Sequence, residues 1–221
     1  MKFSCLDYYR MFRFGGVRLV YNYFRNNHLF DLIHKVDTHS RILKKDFKEI
    51  PSNFCHGVLY MSSWDVVIKE SSEYVLEKFG GQDLSFIDIG CGKGKVLLYW
   101  LLKIKAIRGP VIGVEYSLDI ADICKKNLTT ICGAGRSQVL NVDVTKICLL
   151  RTAARNVFYL YNPFDGVILR KFIENSCLVG DVVIYNNPVN IDVFDEGHWK
   201  LNMRKQGFHP NMDFVVLEKV S

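Results

Sequence analysis

The chain has 221 residues, 49% hydrophobic and 24% charged, an ordinary composition for a soluble globular protein able to bury about 70% of its unfolded surface. No apolar run reaches the roughly 18 residues of a membrane span, and Asp7, Arg10 and Arg13 interrupt the N-terminus too early for a signal peptide. The net charge of +6 is concentrated at the front, where residues 1–50 hold ten Lys/Arg against five Asp/Glu.

Residues 1–35 read as helical pieces broken at Gly15-Gly16, with Phe, Tyr and Arg interleaved. Such a segment could track a nucleic acid or another acidic surface. An amphipathic cap, aromatics packed inward and charges in water, is preferred, because the charge is modest and no nucleic-acid motif accompanies it. Residues 36–60 form a loop-rich joint with turn formers at Pro51-Ser52-Asn53 and His56-Gly57. We therefore divide the chain into an extension, 1–60, that caps a main domain, 61–221. From Ser62 a helix is predicted, capped by Ser62 or Ser63 and stopped by Gly80-Gly81.

Strands and helices then alternate. Strands are predicted at 84–89, 111–116, 138–142, 156–161 and 181–186, with helices near 94–105, 118–130 and 166–177. A closing strand pair falls near 198–204 and 213–220. Apolar strands separated by amphipathic helices imply a parallel sheet covered on both faces. The last strand follows a short return with no room for a crossover helix, so it should run antiparallel. The expected fold is α/β, a doubly wound, seven-stranded, mostly parallel sheet with an N-terminal helical extension. Its ligand belongs at the carboxyl ends of the strands.

The first strand runs into FIDIGCGKGK, residues 86–95. Its glycines, Gly90, Gly92 and Gly94, give G-x-G-x-G, and the third position of the dinucleotide fingerprint holds Lys95. A side chain there would hinder close helix–strand packing, so the turn suits a nucleoside ligand without phosphates better than NAD. Lys93 and Lys95 read as solvated residues of the following first turn. Asp88 stands at the turn's entrance, Glu115 ends the second strand 27 residues later, and Asp143 ends the third. The Glu115 oxygens could accept both ribose hydroxyls, and Asp143 could accept from an adenine amino group. One acid at a strand end often only caps a helix, whereas three beside such a turn make a stronger signal.

These residues resemble the class I S-adenosylmethionine-dependent methyltransferases over roughly residues 62–221, through the motif D/E-x-G-x-G-x-G and a seven-stranded sheet ending antiparallel. The resemblance implies S-adenosyl-L-methionine as cofactor, its methionine end held by Asp88 and the Gly90–Gly94 backbone, its ribose by Glu115 and its adenine by Asp143. The strings FDLIHKVDTHSRI, HGVLYMSS, FIDIGCGKGKVLL, GVEYS and FYLYNPFD are similar to those of a small, mainly bacterial methyltransferase family without a settled substrate. Here Lys35 stands where that family usually has Gly, and Cys91 where it usually has Ser. That likeness places Tyr60 in the lining of the cofactor pocket.

The fourth strand ends in Tyr161-Asn162-Pro163-Phe164-Asp165. It resembles, with one proline fewer, the D/N-P-P-Y/F motif of amino-methyltransferases. There the amide or acid oxygen and a proline carbonyl accept from the target NH₂ while the ring stacks on it. Asn162, Pro163, Phe164 and Tyr161 are thus the candidate catalytic residues, and Asn186 of YNNP is expected to face the same crevice. A bare turn before proline is the competing reading. Phe164 or Tyr161 could face the sulfonium. No strong general base stands out, and His34, with Asp37 and Thr38, could close over the site.

The seven cysteines, at 5, 55, 91, 124, 132, 148 and 177, show neither C-x-x-C pairing nor His-spaced ligands. They read as reduced, buried thiols of a cytoplasmic protein without a metal site. The expected activity is methyl transfer to a nitrogen of a protein or small molecule. A catalytically idle cofactor-binding module and a methyltransferase acting on nucleic acid are the alternatives, and an NAD-dependent oxidoreductase is disfavoured.

Overall fold

The computed structural model describes residues 5–40, 61–132, 135–149, 151, 153–195 and 197–221. Seven strands form one sheet: β1 (Leu84–Ile89), β2 (Val111–Glu115), β3 (Ser137–Asn141), β4 (Arg155–Tyr161), β5 (Val182–Asn186), β6 (Trp199–Lys205) and β7 (Phe214–Lys219). Their order is β3-β2-β1-β4-β5-β7-β6, with β1 to β5 mutually parallel and β7 antiparallel to both its neighbours. Every predicted strand is present to within about two residues. The order turns between β1 and β4, where the first βα turn and the end of the fourth strand lie side by side.

Among the described residues six α-helices accompany the sheet: α1 (Cys5–Tyr23), α2 (Phe30–His34), α3 (Asp65–Phe79), α4 (Lys95–Lys103), α5 (Leu118–Cys132) and α6 (Gly166–Ser176). A wide turn, Phe24–Leu29, joins α1 to α2. One core layer combines α3, α4, α5 and the extension's Leu19 and Phe30 with Phe86, Tyr159 and Ile184 of the sheet. The other packs Ile168, Leu169 and Phe172 of α6 on Ile87, Phe158 and Val183. Consecutive strand residues feed opposite layers, which is why β1 and β4 read as unbroken apolar runs.

Within α1 the backbone leaves helical geometry at Gly15 and at Gly16 (φ 62°), the break expected there. The start of α3 differs from expectation. Trp64 is the N-cap residue, and the Asp65 N–H is satisfied by Asn26 Oδ1 of the extension at 2.8 Å, not by Ser62 or Ser63. A cap supplied from a distant segment leaves no local sequence signal.

Lys35, the residue found where the similar family carries Gly, ends α2 in the left-handed conformation, at φ 55° and ψ 42°. An L side chain there costs roughly 1–2 kcal/mol, partly offset by glycine's larger entropy in the unfolded chain. Lys35→Gly is expected to stabilise the protein by up to about 1 kcal/mol, a rise of a few degrees in thermal melting. An unchanged or lower melting temperature would show that the lysine side chain compensates its own strain.

Candidate active site

Asp88 lies one residue from the end of β1 and is buried. Burial, and next the nearby charge of Glu115, push its carboxyl well above the usual carboxylate range. Glu115, the last residue of β2, is also raised by burial, against the pull of backbone N–H groups that hold its charge. Its carboxylate accepts from the Gly92 N–H at 3.0 Å and the Ser117 N–H at 2.9 Å. The second strand's acid therefore braces the glycine turn directly. Gly92 has φ 54° and Gly94 φ 86°, so the turn depends on left-handed backbone that a side chain would strain.

The YNPF segment adjoins this turn. A Cβ on Gly90 would stand 2.7 Å from the Pro163 Cβ, so the first glycine exists because YNPF packs against it. Asn162 has φ 40°. Its Oδ1 accepts from the Tyr185 hydroxyl at 3.1 Å, and that hydroxyl in turn accepts from the Asn190 N–H at 3.3 Å. Tyr185 thus fixes the amide plane, a role with no local signal in the sequence. Asp165 then caps α6, accepting from the Val167 and Ile168 N–H groups. Tyr161 and Phe164 diverge, Tyr161 packing toward the α3–α4 layer and Phe164 toward the α6 layer. Burial pushes the Tyr161 phenol far up, so it stays protonated.

Of the other residues singled out in the sequence, Asn186 departs from expectation. Asn186 is fully buried. Its amide donates to the Asn211 and Asp213 carbonyls, and its oxygen accepts from the Tyr159 hydroxyl, so the side chain ties β5 to the β6–β7 return instead of facing the strand-end crevice. Asp143 Oδ1 accepts from both the Thr145 N–H and hydroxyl, holding the turn after β3. His34 packs against Phe30, with ring centroids 4.6 Å apart and tilted, and feels the charges of Lys103 and Lys95. Burial, followed by those two cations, lowers its proton affinity. Cys5 and Cys148 are exposed, whereas Cys91, Cys124 and Cys177 are buried as expected. Tyr60, Cys55 and the turn formers of 51–57 lie outside the described residues, as does the side chain of Cys132.

The largest correction concerns Lys93 and Lys95, which are 1% and 2% exposed, not solvated. Lys93 sits inside the glycine turn. Its Nζ contacts Asp37 Oδ2 at 2.8 Å and the Ser40 carbonyl at 2.8 Å. Asn127 of α5 closes the arrangement, donating to the carbonyls of Asp37 and Lys93, both at 2.9 Å. Lys95 pairs with Asp65 at 2.7 Å, donates to the Asn26 carbonyl at 2.7 Å and lies 3.2 Å from the Phe30 ring centroid. Lys93 and Lys95 thereby bolt the extension onto the glycine turn and the start of α4. A lysine buried with its partners on another segment looks, in sequence, like any solvated lysine. Asp31, Asp37 and His39 converge within 4.8 Å. The carboxylates are already engaged, Asp31 by Thr38 and by His39 Nδ1 and Asp37 by Lys93 and Ser40.

Burial lowers Lys95 to about 8 from its ordinary 10.5, against the opposing pull of Asp65. Between those values the unfolded chain holds a proton that the folded one lacks, so this residue makes stability rise with pH across that window. Lys95→Met should remove the rise. Denaturant unfolding of both proteins at pH 8 and near 10.5 tests this, and parallel trends in the two would refute it.

Among solved structures the similarity is one of fold. A Haemophilus influenzae protein described as a methylase aligns with TM-score 0.50 at 20% identity, over 70% of this chain and 89% of that one. An Escherichia coli protein described as a methyltransferase gives 0.52 at 16%, over 70% and 86%. A variant of MtNAS in complex with S-adenosylmethionine gives 0.53 at 15%, over 71% and 63%. No family model and no curated protein matches the chain. The strand order, the antiparallel β7 and these neighbours together define the class I S-adenosylmethionine-dependent methyltransferase fold.

Proposed function

We propose that the chain transfers a methyl group from S-adenosylmethionine to a nitrogen of a protein or small-molecule acceptor. The observation that supports this best is the contact between two half-sites: a left-handed glycine turn braced by Glu115 on one side, and Pro163 of YNPF packed on Gly90 on the other. A module that only bound the cofactor would have no need of the second half.

The residues fit a cation without phosphates. Asp88 is a buried carboxyl and Glu115 a partly buried one beside it; burial and then the Glu115 charge raise the proton affinity of Asp88, and a positive ligand would relieve both. A pyrophosphate would meet repulsion there. In this reading Asp88 and the backbone of Gly90, Gly92 and Gly94 hold the methionine end and Glu115 the ribose. Asp143, at the end of the third strand, meets the adenine, and Tyr60 completes the pocket. The cofactor, when bound, supplies an electrophilic methyl group on sulfur. Asn162 and the Pro163 carbonyl orient the acceptor nitrogen, and Tyr161 and Phe164 flank them. Transfer to a neutral amine is largely a matter of alignment, which suits a site with no strong base.

The division at residue 60 belongs to the same proposal. The described part of the extension acts as a cap whose Asp37, Ser40 and Asn26 contacts set the shape of the cofactor turn. Incubating the protein with methyl-labelled cofactor and a cell extract, then identifying the labelled species, tests the assignment. Label in protein or in small amines is the expected result. Label in RNA or DNA would move the acceptor to nucleic acid, and cofactor binding without any transfer would favour the idle module.

A further inference from the structure

Of the 19 residues in α1, Leu19 alone is buried. That is few for a helix whose only task is to cap a domain. Before the break at Gly15-Gly16, Leu6, Tyr9, Arg10 and Arg13 share one face by their spacing, and all are exposed. After it, Val17 and Tyr21, one turn apart on the second helical piece, are also exposed, at 70% and 60%, and Tyr9 is 58% exposed. The one acidic residue of α1 is Asp7. Large apolar side chains and arginines are therefore mixed on the outward side, while Met11 and Leu19 pack inward. On α2, Leu32 and Ile33 are 74% and 61% exposed.

We infer that the outward face of α1 docks on an anionic membrane surface, lying in the headgroup region without crossing it. Aromatic rings and arginines prefer that region, and aliphatic side chains gain from the acyl boundary beneath it. A nucleic acid would use the arginines and rings but leave Leu6 and Val17 with nothing to bury against. A second copy of the chain, joined across a two-fold axis, would bring Arg10 and Arg13 against their own equivalents. No helix among the described residues is long and apolar enough to cross a bilayer. The inference does not depend on the proposed activity.

The test is co-sedimentation of the full chain with vesicles of equal parts phosphatidylserine and phosphatidylcholine, and with phosphatidylcholine alone. Binding to the anionic vesicles, weakened by salt and much weaker to neutral ones, is expected. The pair Arg10→Gln and Arg13→Gln should weaken it about 30-fold, at roughly five-fold per arginine near such a surface. The pair Tyr9→Ser and Val17→Ser should weaken it by about 10-fold, since part of the affinity is burial of apolar surface. These side chains are exposed, so melting curves close to wild type are expected, and Tyr21→Ser serves as a replacement should one pair unfold. Failure to sediment with either vesicle overturns the inference. So does equal binding to both, or indifference to the apolar pair, which would mean simple charge adsorption. Release of the protein from vesicles into a complex with polyuridylate, or dimerisation abolished by the apolar pair, would assign the face to RNA or to a second copy instead.

Discussion

In an Asn162→Gly variant, methyl transfer is expected to fall by about 10²–10³ while cofactor affinity stays near that of the wild type, the scale of one positioned transition-state hydrogen bond. Glycine is the informative replacement because Asn162 has φ 40°. Alanine would add backbone strain to the loss of the amide, whereas glycine accepts that conformation and removes only the side chain. The Asn162 oxygen already accepts from Tyr185, which leaves a second lone pair for an acceptor NH₂. Tyr185→Phe should therefore slow transfer by a smaller factor, about 10-fold, by freeing the amide to rotate without deleting it. If the residue serves the turn alone, Asn162→Gly changes stability and leaves turnover intact. Paired calorimetry and labelled transfer distinguish the two, and a wild-type rate in the folded glycine variant would remove Asn162 from the chemistry.

What was legible in the sequence had a local cause. The strands, the break at Gly15-Gly16, the helix stop at Gly80 and the antiparallel last strand follow from periodicity, glycine and connection length, and all are present. The acids at the ends of β1 and β2 and the YNPF segment also fell where an open parallel sheet puts strand ends. What was not legible depends on partners far apart in the chain. Lys93 and Lys95 are separated from Asp37, Asn26 and Asp65 by 30 residues or more, and nothing in their neighbours distinguishes them from solvated lysines. Asn162 and Asn186 look alike in sequence, each at a strand end and near a proline. One keeps its amide at the strand-end turn, and the other spends it on the β6–β7 return, because β7 runs beside β5 and brings those carbonyls within reach. Pattern alone cannot separate two such asparagines, since the strand pairing decides between them.

Glu115→Ala should weaken S-adenosylmethionine binding by about 2–4 kcal/mol, or roughly 30- to 1000-fold. Two hydrogen bonds from ribose hydroxyls to a charged acceptor account for this after solvent compensation. The loss of the Gly92 brace acts in the same direction, because that N–H is then unpaired and the turn loosens. Melting separates the contributions. A variant that melts lower but binds the cofactor as before would confine Glu115 to holding the turn and end its ribose role. The pH dependence gives a second, independent reading. Burial raises both Glu115 and Asp88, and the charge of Glu115 raises Asp88 further. A cation prefers the ionised forms, so affinity in the wild type should fall as pH drops through those raised values, above the ordinary carboxylate range. Without Glu115, Asp88 loses its repulsive neighbour and ionises more easily, so the remaining acid limb should move to lower pH. An acid limb that stays in place in Glu115→Ala would mean the two carboxyls do not share a ligand, and the site as assigned would have to be redrawn around Asp88 alone.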